Sequence, residues 1–81
     1  MLYELLTRIL HALEDEHPQD KFRFNVQQNS IRLESRTSYE FIDIEPMSMP
    51  DMLLTTYYVD NAECRHLYQV KQSFEELIQT I

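Results

Sequence analysis

The 81-residue chain contains no glycine, although ordinary usage of about 7% would give it roughly five or six. Phosphate-binding loops, dinucleotide-binding turns and nucleophile elbows need residues without a Cβ, which reach positive φ or let backbone amides approach a ligand. The sequence therefore excludes these sites in their standard form.

Cysteine is almost as scarce, since Cys64 is the only one. An internal disulfide and the standard cysteine-based zinc patterns are excluded. Small domains without disulfides or zinc sites are often stabilised by oligomerisation, which favours a homodimer.

Long apolar runs are also absent. They reach three residues at most, whereas about 20 are needed to cross a bilayer, and the first residues lack the basic stretch of a signal peptide. We therefore expect a cytosolic protein with no cofactor and no bound metal.

Basic residues are also few, with seven Lys and Arg against fourteen Asp and Glu and a formal net charge of −7. Such a chain gains no counterion-release affinity from a phosphate backbone and no attraction to anionic lipids. Nucleic acid and membrane are therefore not expected as partners. RNA binding through the basic residues of the first predicted hairpin is the weaker alternative; these are Lys21, Arg23, Arg32 and Arg36.

Two helices are predicted, one at each end of the chain. Six apolar residues between positions 2 and 13 repeat at helical spacing and form one stripe, and Pro18 ends this helix near Glu16. Ser73 and Glu76 have the spacing of a capping box, which predicts a short helix after Ser73. The apolar stripe consists of Leu2, Leu5, Leu6, Ile9, Leu10 and Leu13.

Between the helices the sequence alternates with the period of β-strands. Residues 21–26 and 31–35 predict a hairpin, 39–45 a strand that is either central or bulged, and 52–59 a fourth strand. Residues 64–70 alternate as a fifth strand would, but a single helix from Cys64 to Ile81 is the alternative. The two helices must bury their stripes against the sheet. We predict one domain, 1–81, with an α+β two-layer fold: an antiparallel sheet of four or five strands flanked by an N-terminal and a C-terminal helix.

Cys64 and His66 form the only pairing of a nucleophile with a base nearby in sequence. On a regular strand their side chains would be about 7 Å apart, too far for a direct hydrogen bond. We therefore assign no catalytic residue, and an enzyme that uses this pair remains a minor alternative.

Negative charge is concentrated between Thr37 and Glu63, a stretch without Lys or Arg. Tyrosines and methionines, which are enriched in protein interfaces, lie in the same stretch. A solubilising surface is the simpler interpretation, and recognition of a basic protein partner is the sharper one. The candidate partner-binding residues are Glu40, Asp43, Glu45, Asp51, Tyr57, Asp60 and Glu63.

The leading functional hypothesis is a small, acidic, non-enzymatic interaction module of bacterial or phage type. It would bind and occlude a basic protein surface, as an inhibitor, an antitoxin-like factor or a chaperone does. The alternative is a structural or assembly subunit whose sheet and leucine-rich helix mediate self-association.

Overall fold

A computed structural model describes residues 2–60 and 63–81 and places five antiparallel strands in one sheet, in the order β1-β2-β3-β4-β5. This confirms the predicted α+β fold, with a helix at each end of the chain. The strands are β1 (Phe22–Val26), β2 (Ile31–Ser35), β3 (Phe41–Pro46), β4 (Met52–Asp60) and β5 (Arg65–Ser73). The helices are α1 (Leu2–Ala12), α2 (Pro18–Lys21) and α3 (Phe74–Thr80), with a 3₁₀ turn at Glu14–Glu16.

Helix α1 covers the sheet with a narrower stripe than its sequence predicts. Leu5, Ile9 and Leu13 are buried, because side chains three or four positions apart lie on one helical face. Leu10 is 36% exposed and belongs to the edge of that stripe. The remaining two residues of the predicted stripe, Leu2 and Leu6, are half-buried against the core.

Helix α1 ends at Ala12, four residues before the end that the sequence predicted near Glu16, and a 3₁₀ turn at Glu14–Glu16 separates it from Pro18. After the 3₁₀ turn, His17 adopts a left-handed conformation with φ of 52°, which fits the exclusion of helical geometry from a residue before proline. Pro18 then begins α2, where its missing N–H costs no hydrogen bond. This turn leads the chain directly into β1.

Strand β3 lies at the centre of the sheet and pairs without interruption to β2 and β4. Its two apolar faces therefore reflect a central position, and the alternative of a bulge is wrong. Ile42 and Ile44 face the helices, while Phe41 lies on the opposite surface and stacks on Tyr58 at 5.0 Å between ring centroids. We call that opposite surface the outer face.

The segment 65–73 is a strand, so the alternative of one helix from Cys64 to Ile81 is wrong. Nine consecutive residues pair with β4, from Met52 opposite Ser73 to Asp60 opposite Arg65.

No helix among the described residues is long and apolar enough to span a membrane. The core lies between the helices and the sheet, with Ile9, Ile31, Leu33, Ile44 and Leu77 fully buried at its centre.

The change from β5 to α3 occurs at the predicted capping box. The Glu76 backbone N–H donates to Ser73 Oγ, and the Ser73 N–H donates to Glu76 Oε1, both at 3.2 Å. Replacing Ser73 with alanine removes one of these acceptors and should lower the free energy of unfolding by about 1 kcal/mol. Urea denaturation measures the change, with Ser48→Ala in the exposed β3–β4 loop as the control. Equal stability of the Ser73→Ala protein and the wild type would show that the cap contributes nothing.

Candidate partner-binding groove

Helix α3 is too short to cover the strands beneath it. The nine residues of β4 extend about 30 Å, whereas the seven residues of α3 extend about 10 Å. Both β4 and α3 start at the same end of the sheet, because Met52 pairs with Ser73. The helix ends beside Tyr57, and Tyr68, directly opposite Tyr57 on β5, is 45% exposed.

The uncovered strands form an apolar groove of about 520 Å³, lined mainly by residues that face the helices and also by Phe41 and Tyr58 of the outer face. Its floor comes from all five strands, with Thr80 of α3 at one end and Glu40 of the β2–β3 loop at the other. We call this site the groove. Its floor includes Phe22, Leu33, Ile42, Tyr57, Val59, Tyr68 and Val70.

Hydrogen bonds hold Tyr57 rigidly in the floor of the groove. Gln72 is only 5% exposed, and its Nε2 donates to the Tyr57 hydroxyl at 2.7 Å and to Thr55 Oγ1 at 3.1 Å. The Tyr57 hydroxyl also lies 3.1 Å from Thr80 Oγ1, which connects the end of α3 to the sheet. The Tyr57 ring stacks on Tyr68 at 5.1 Å between centroids. Gln72 and Thr55 are buried while Tyr57 is half-buried and Thr80 is exposed, and together these contacts fix the Tyr57 ring, so this part of the groove is preformed.

Acidic residues lie at the end of the sheet where the groove opens. Glu40 lines the groove, and its Oε2 accepts a hydrogen bond from the Asp60 backbone N–H at 3.2 Å. Asp60 pairs with Arg65 at 3.2 Å and contributes with Glu63 to an adjoining depression. The structure therefore brings four of the predicted residues together, with Tyr57 and Glu40 in the groove and Asp60 and Glu63 beside it.

The segment that joins α1 to β1 adds further negative charge at this end. It leads into Phe22, which pairs with Ser35 at the start of the β2–β3 loop. Among the described residues, seven acidic side chains and three basic ones therefore belong to this end of the sheet. They are Glu14, Asp15, Glu16, Asp20, Glu40, Asp60 and Glu63 against Lys21, Arg36 and Arg65.

Asp43 lies apart from this cluster, on the outer face of the sheet. It accepts two hydrogen bonds from Arg32 on the neighbouring strand, at 2.8 and 2.9 Å. These hydrogen bonds raise the pKa of the Arg32 guanidinium above its usual value, so Arg32 stays charged. The same guanidinium lies 4.1 Å from the centre of the Phe41 ring. The Asp43 carboxylate is therefore already paired within the fold.

The remaining two candidates, Glu45 and Asp51, lie at the opposite end of the sheet. They line a second cavity of about 690 Å³, together with the first turns of α1 and the loop of residues 46–51. Asp51 pairs with Arg8 at 3.3 Å and has a positive φ of 60°, which aspartate tolerates better than most residues. Three methionines of the acidic stretch, which the sequence associates with an interface, line this second cavity; they are Met47, Met49 and Met52.

Cys64 and His66 are closer than regular strand spacing predicts. Cys64 Sγ lies 3.2 Å from His66 Nδ1, because Cys64 precedes β5 and is not held in its pleat. The prediction that they lie too far apart for a hydrogen bond is therefore wrong. Both side chains are exposed, and His66 stacks on Tyr68. Within residues 2–60 and 63–81, no three His, Cys, Asp or Glu side chains gather closely enough to hold a metal ion.

Sequence reasoning missed most of the groove, because it assigned the apolar strand residues to the core. Val59 and Val70 face the helix side but are only half-buried. Comparison with known proteins does not add to this description, since no family model, no curated protein and no solved structure matches the chain.

Proposed function

We propose that the protein is a non-enzymatic interaction module whose groove binds a basic, amphipathic segment of a partner protein. The observation that carries this proposal is an apolar groove that opens at the acidic end of the sheet. Apolar side chains of the partner would fill the groove, and its Lys and Arg residues would lie against the acidic residues. Binding would then occlude the basic segment, as an inhibitor or a chaperone does.

The apolar floor supplies the affinity in this proposal. Ile42, Val59 and Val70 are half-buried and face a preformed concave surface, and burial of apolar area is the main favourable term in protein association. Tyr57 and Tyr68 provide rigid rings of the kind that protein interfaces favour. A preformed groove also avoids the cost of ordering its side chains on binding.

The acidic residues near the groove supply selectivity for a basic partner and speed its association. Seven acidic groups against three basic ones attract a cationic segment and repel an acidic one. Of the predicted partner-binding residues, the proposal uses Glu40, Tyr57, Asp60 and Glu63. It does not use Asp43, Glu45 or Asp51, which lie on the outer face and at the opposite end of the sheet.

Two synthetic peptides of about 15 residues test the proposal, a length at which helices begin to be stable in water. One is an amphipathic helix of Leu and Lys, which we call the basic peptide, and the other replaces every Lys with Glu. The basic peptide should shift the NMR signals of Ile42, Val59 and Val70, whereas the acidic peptide should not. Equal shifts with both peptides, or shifts confined to residues outside the groove, would contradict the proposal.

Neutralising two acidic residues near the groove should weaken binding of the basic peptide, because it removes part of the attraction between these carboxylates and the peptide's Lys residues. Glu40→Gln with Glu63→Gln keeps an acceptor for the Asp60 N–H and should lower affinity about three- to tenfold at low salt. The difference should shrink at high salt, because exposed charges are screened. Isothermal titration calorimetry at two salt concentrations measures both effects.

The matched control neutralises Glu45 and Glu75, which belong to the other end of the sheet, and changes the net charge by the same amount. Its affinity should stay within about twofold of the wild type, since charges farther than about a Debye length contribute little. If both double variants lose the same affinity, only net charge matters, and the groove is not the binding site.

A further inference from the structure

Strand β5 forms an open edge of the sheet. The Phe74 N–H donates to the Asp51 carbonyl at 3.1 Å, and hydrogen-bonded pairs alternate along an antiparallel ladder. Residues 66, 68, 70 and 72 therefore bond to β4, and the backbone groups of Arg65, Leu67, Gln69 and Lys71 point away from the sheet. In the described part of the chain, no hydrogen bond satisfies these backbone groups.

The opposite edge is less available for pairing. β1 has five residues, and the same alternation, set by the Gln27 N–H bond to the Ser30 carbonyl, leaves three of them facing outward. One of these three carbonyls, that of Phe22, already accepts a hydrogen bond from Arg36 Nε at 3.2 Å. β5 has nine residues and lacks proline, a residue that commonly protects an edge strand from pairing with another chain.

We infer that β5 pairs with the β5 strand of a second copy, in antiparallel register centred on Gln69, to form a continuous ten-stranded sheet. Charge favours this occupant. Each copy carries a net charge of −7, yet residues 64–74 contain no Asp or Glu. Two copies can therefore meet at this edge without opposing carboxylates, and a register centred on Gln69 places neither Arg65 nor Lys71 directly opposite another cation.

The register follows from the length and the charges of the strand. Centring on Gln69 pairs all nine residues, with Leu67 opposite the second copy's Lys71 and Arg65 opposite its Ser73. A shift that centres on Tyr68 would place Arg65 opposite Lys71, and like charges directly opposite each other are destabilising. The chosen register also covers Leu67, which is 59% exposed.

This pairing would place Tyr68 opposite Val70 of the second copy, and both residues line the groove. The two grooves would then share a wall near the dimer axis. This last consequence rests on the proposed function, whereas the dimer itself does not, and its tests use no partner peptide.

Sedimentation equilibrium should give a mass near twice the 9.8 kDa of one chain, in a concentration-dependent equilibrium. Leu67→Glu places a carboxylate opposite Lys71, and Leu67→Lys places a like charge there. Because symmetry repeats each pair, the Glu variant should dimerise about tenfold more tightly than the Lys variant. Equal dimerisation constants for the two variants would overturn the register, and a monomer at every concentration would overturn the dimer.

Disulfide trapping tests the register independently. In a Cys64→Ser background, Gln69→Cys places two thiols opposite each other on the axis, within the Cα separation that a disulfide tolerates. Diamide should oxidise this variant to a covalent dimer, taking up two electrons and two protons. Lys71→Cys is the control, since residue 71 lies opposite residue 67. The Gln69→Cys variant should crosslink at least about tenfold faster, and equal rates would indicate random collision and overturn the proposal.

Discussion

Ile44→Ala should lower the free energy of unfolding by about 3 kcal/mol, a large fraction of the roughly 5–15 kcal/mol that stabilises a typical domain. Ile44 is fully buried at the centre of the sheet, between Ile31 on β2 and Thr55 on β4. Truncation there removes apolar burial and leaves a cavity that water cannot fill. Urea denaturation followed by circular dichroism measures the loss.

The matched control is Ile42→Ala, on the same strand and the same face but in the floor of the groove. Ile42 is half-buried, so its truncation enlarges a space already open to solvent and should cost only about 1 kcal/mol. The difference between the two isoleucines therefore measures how open the groove is. If both variants lose the same stability, Ile42 belongs to a closed core, and the groove does not exist in solution.

Much of the fold could be predicted because local signals agree with the tertiary structure. The α1 stripe, the hairpin alternation and the Ser73–Glu76 box each specify one local geometry, and the structure retains all three. The region from Cys64 to Ile81 was ambiguous, because its apolar residues satisfy helical and strand spacing almost equally. Pairing with β4 resolves the ambiguity in favour of a strand, and such pairing is a long-range interaction that no local pattern shows.

The site was harder to predict, because residues that are close in sequence can lie far apart in an antiparallel sheet. Glu40 and Glu45 are five residues apart, yet they lie at opposite ends of β3. Conversely, Glu40 and Asp60 are 20 residues apart and share a hydrogen bond. The pairing of Asp43 with Arg32 is a cross-strand contact, so the sequence could not show that Asp43 is already neutralised.

The groove itself left a signal in the lengths of the elements. A helix rises about 1.5 Å per residue and a strand about 3.3 Å. A two-turn helix that follows a long hairpin must therefore leave part of that hairpin uncovered. Predicting where this occurs requires the strand ends, and the fifth strand was predicted to end at Val70, three residues early.

Charge separates the two proposed surfaces. The groove opens among acidic residues, whereas the β5 edge contains none. A basic segment would therefore prefer the groove, whereas the β5 strands of two copies can meet without opposing carboxylates. The two interactions use different chemistry, so one can be weakened without the other: Leu67→Lys should weaken dimerisation while each copy still binds the basic peptide.

Val59→Trp should weaken binding of the basic peptide by at least about 30-fold, or about 2 kcal/mol. Val59 is half-buried in the groove, between Tyr57 and the end of the sheet where β4 stops at Asp60. An indole at this position would occupy the space that the partner's apolar side chains need. Because the space is open, the larger side chain should fit without the strain of an overpacked core, and the free energy of unfolding should change by less than about 0.5 kcal/mol.

Thr56→Trp is the control, on the same strand but on the outer face. The chain has no natural tryptophan, so each variant contains a single indole whose fluorescence reports its own surroundings. The indole at position 59 should emit at shorter wavelength than the one at position 56, because the groove is apolar. The Thr56→Trp protein should bind the basic peptide as the wild type does. If the two variants lose the same affinity, or if Val59→Trp binds normally with a buried indole, the peptide does not occupy the groove, and recognition must depend on another surface.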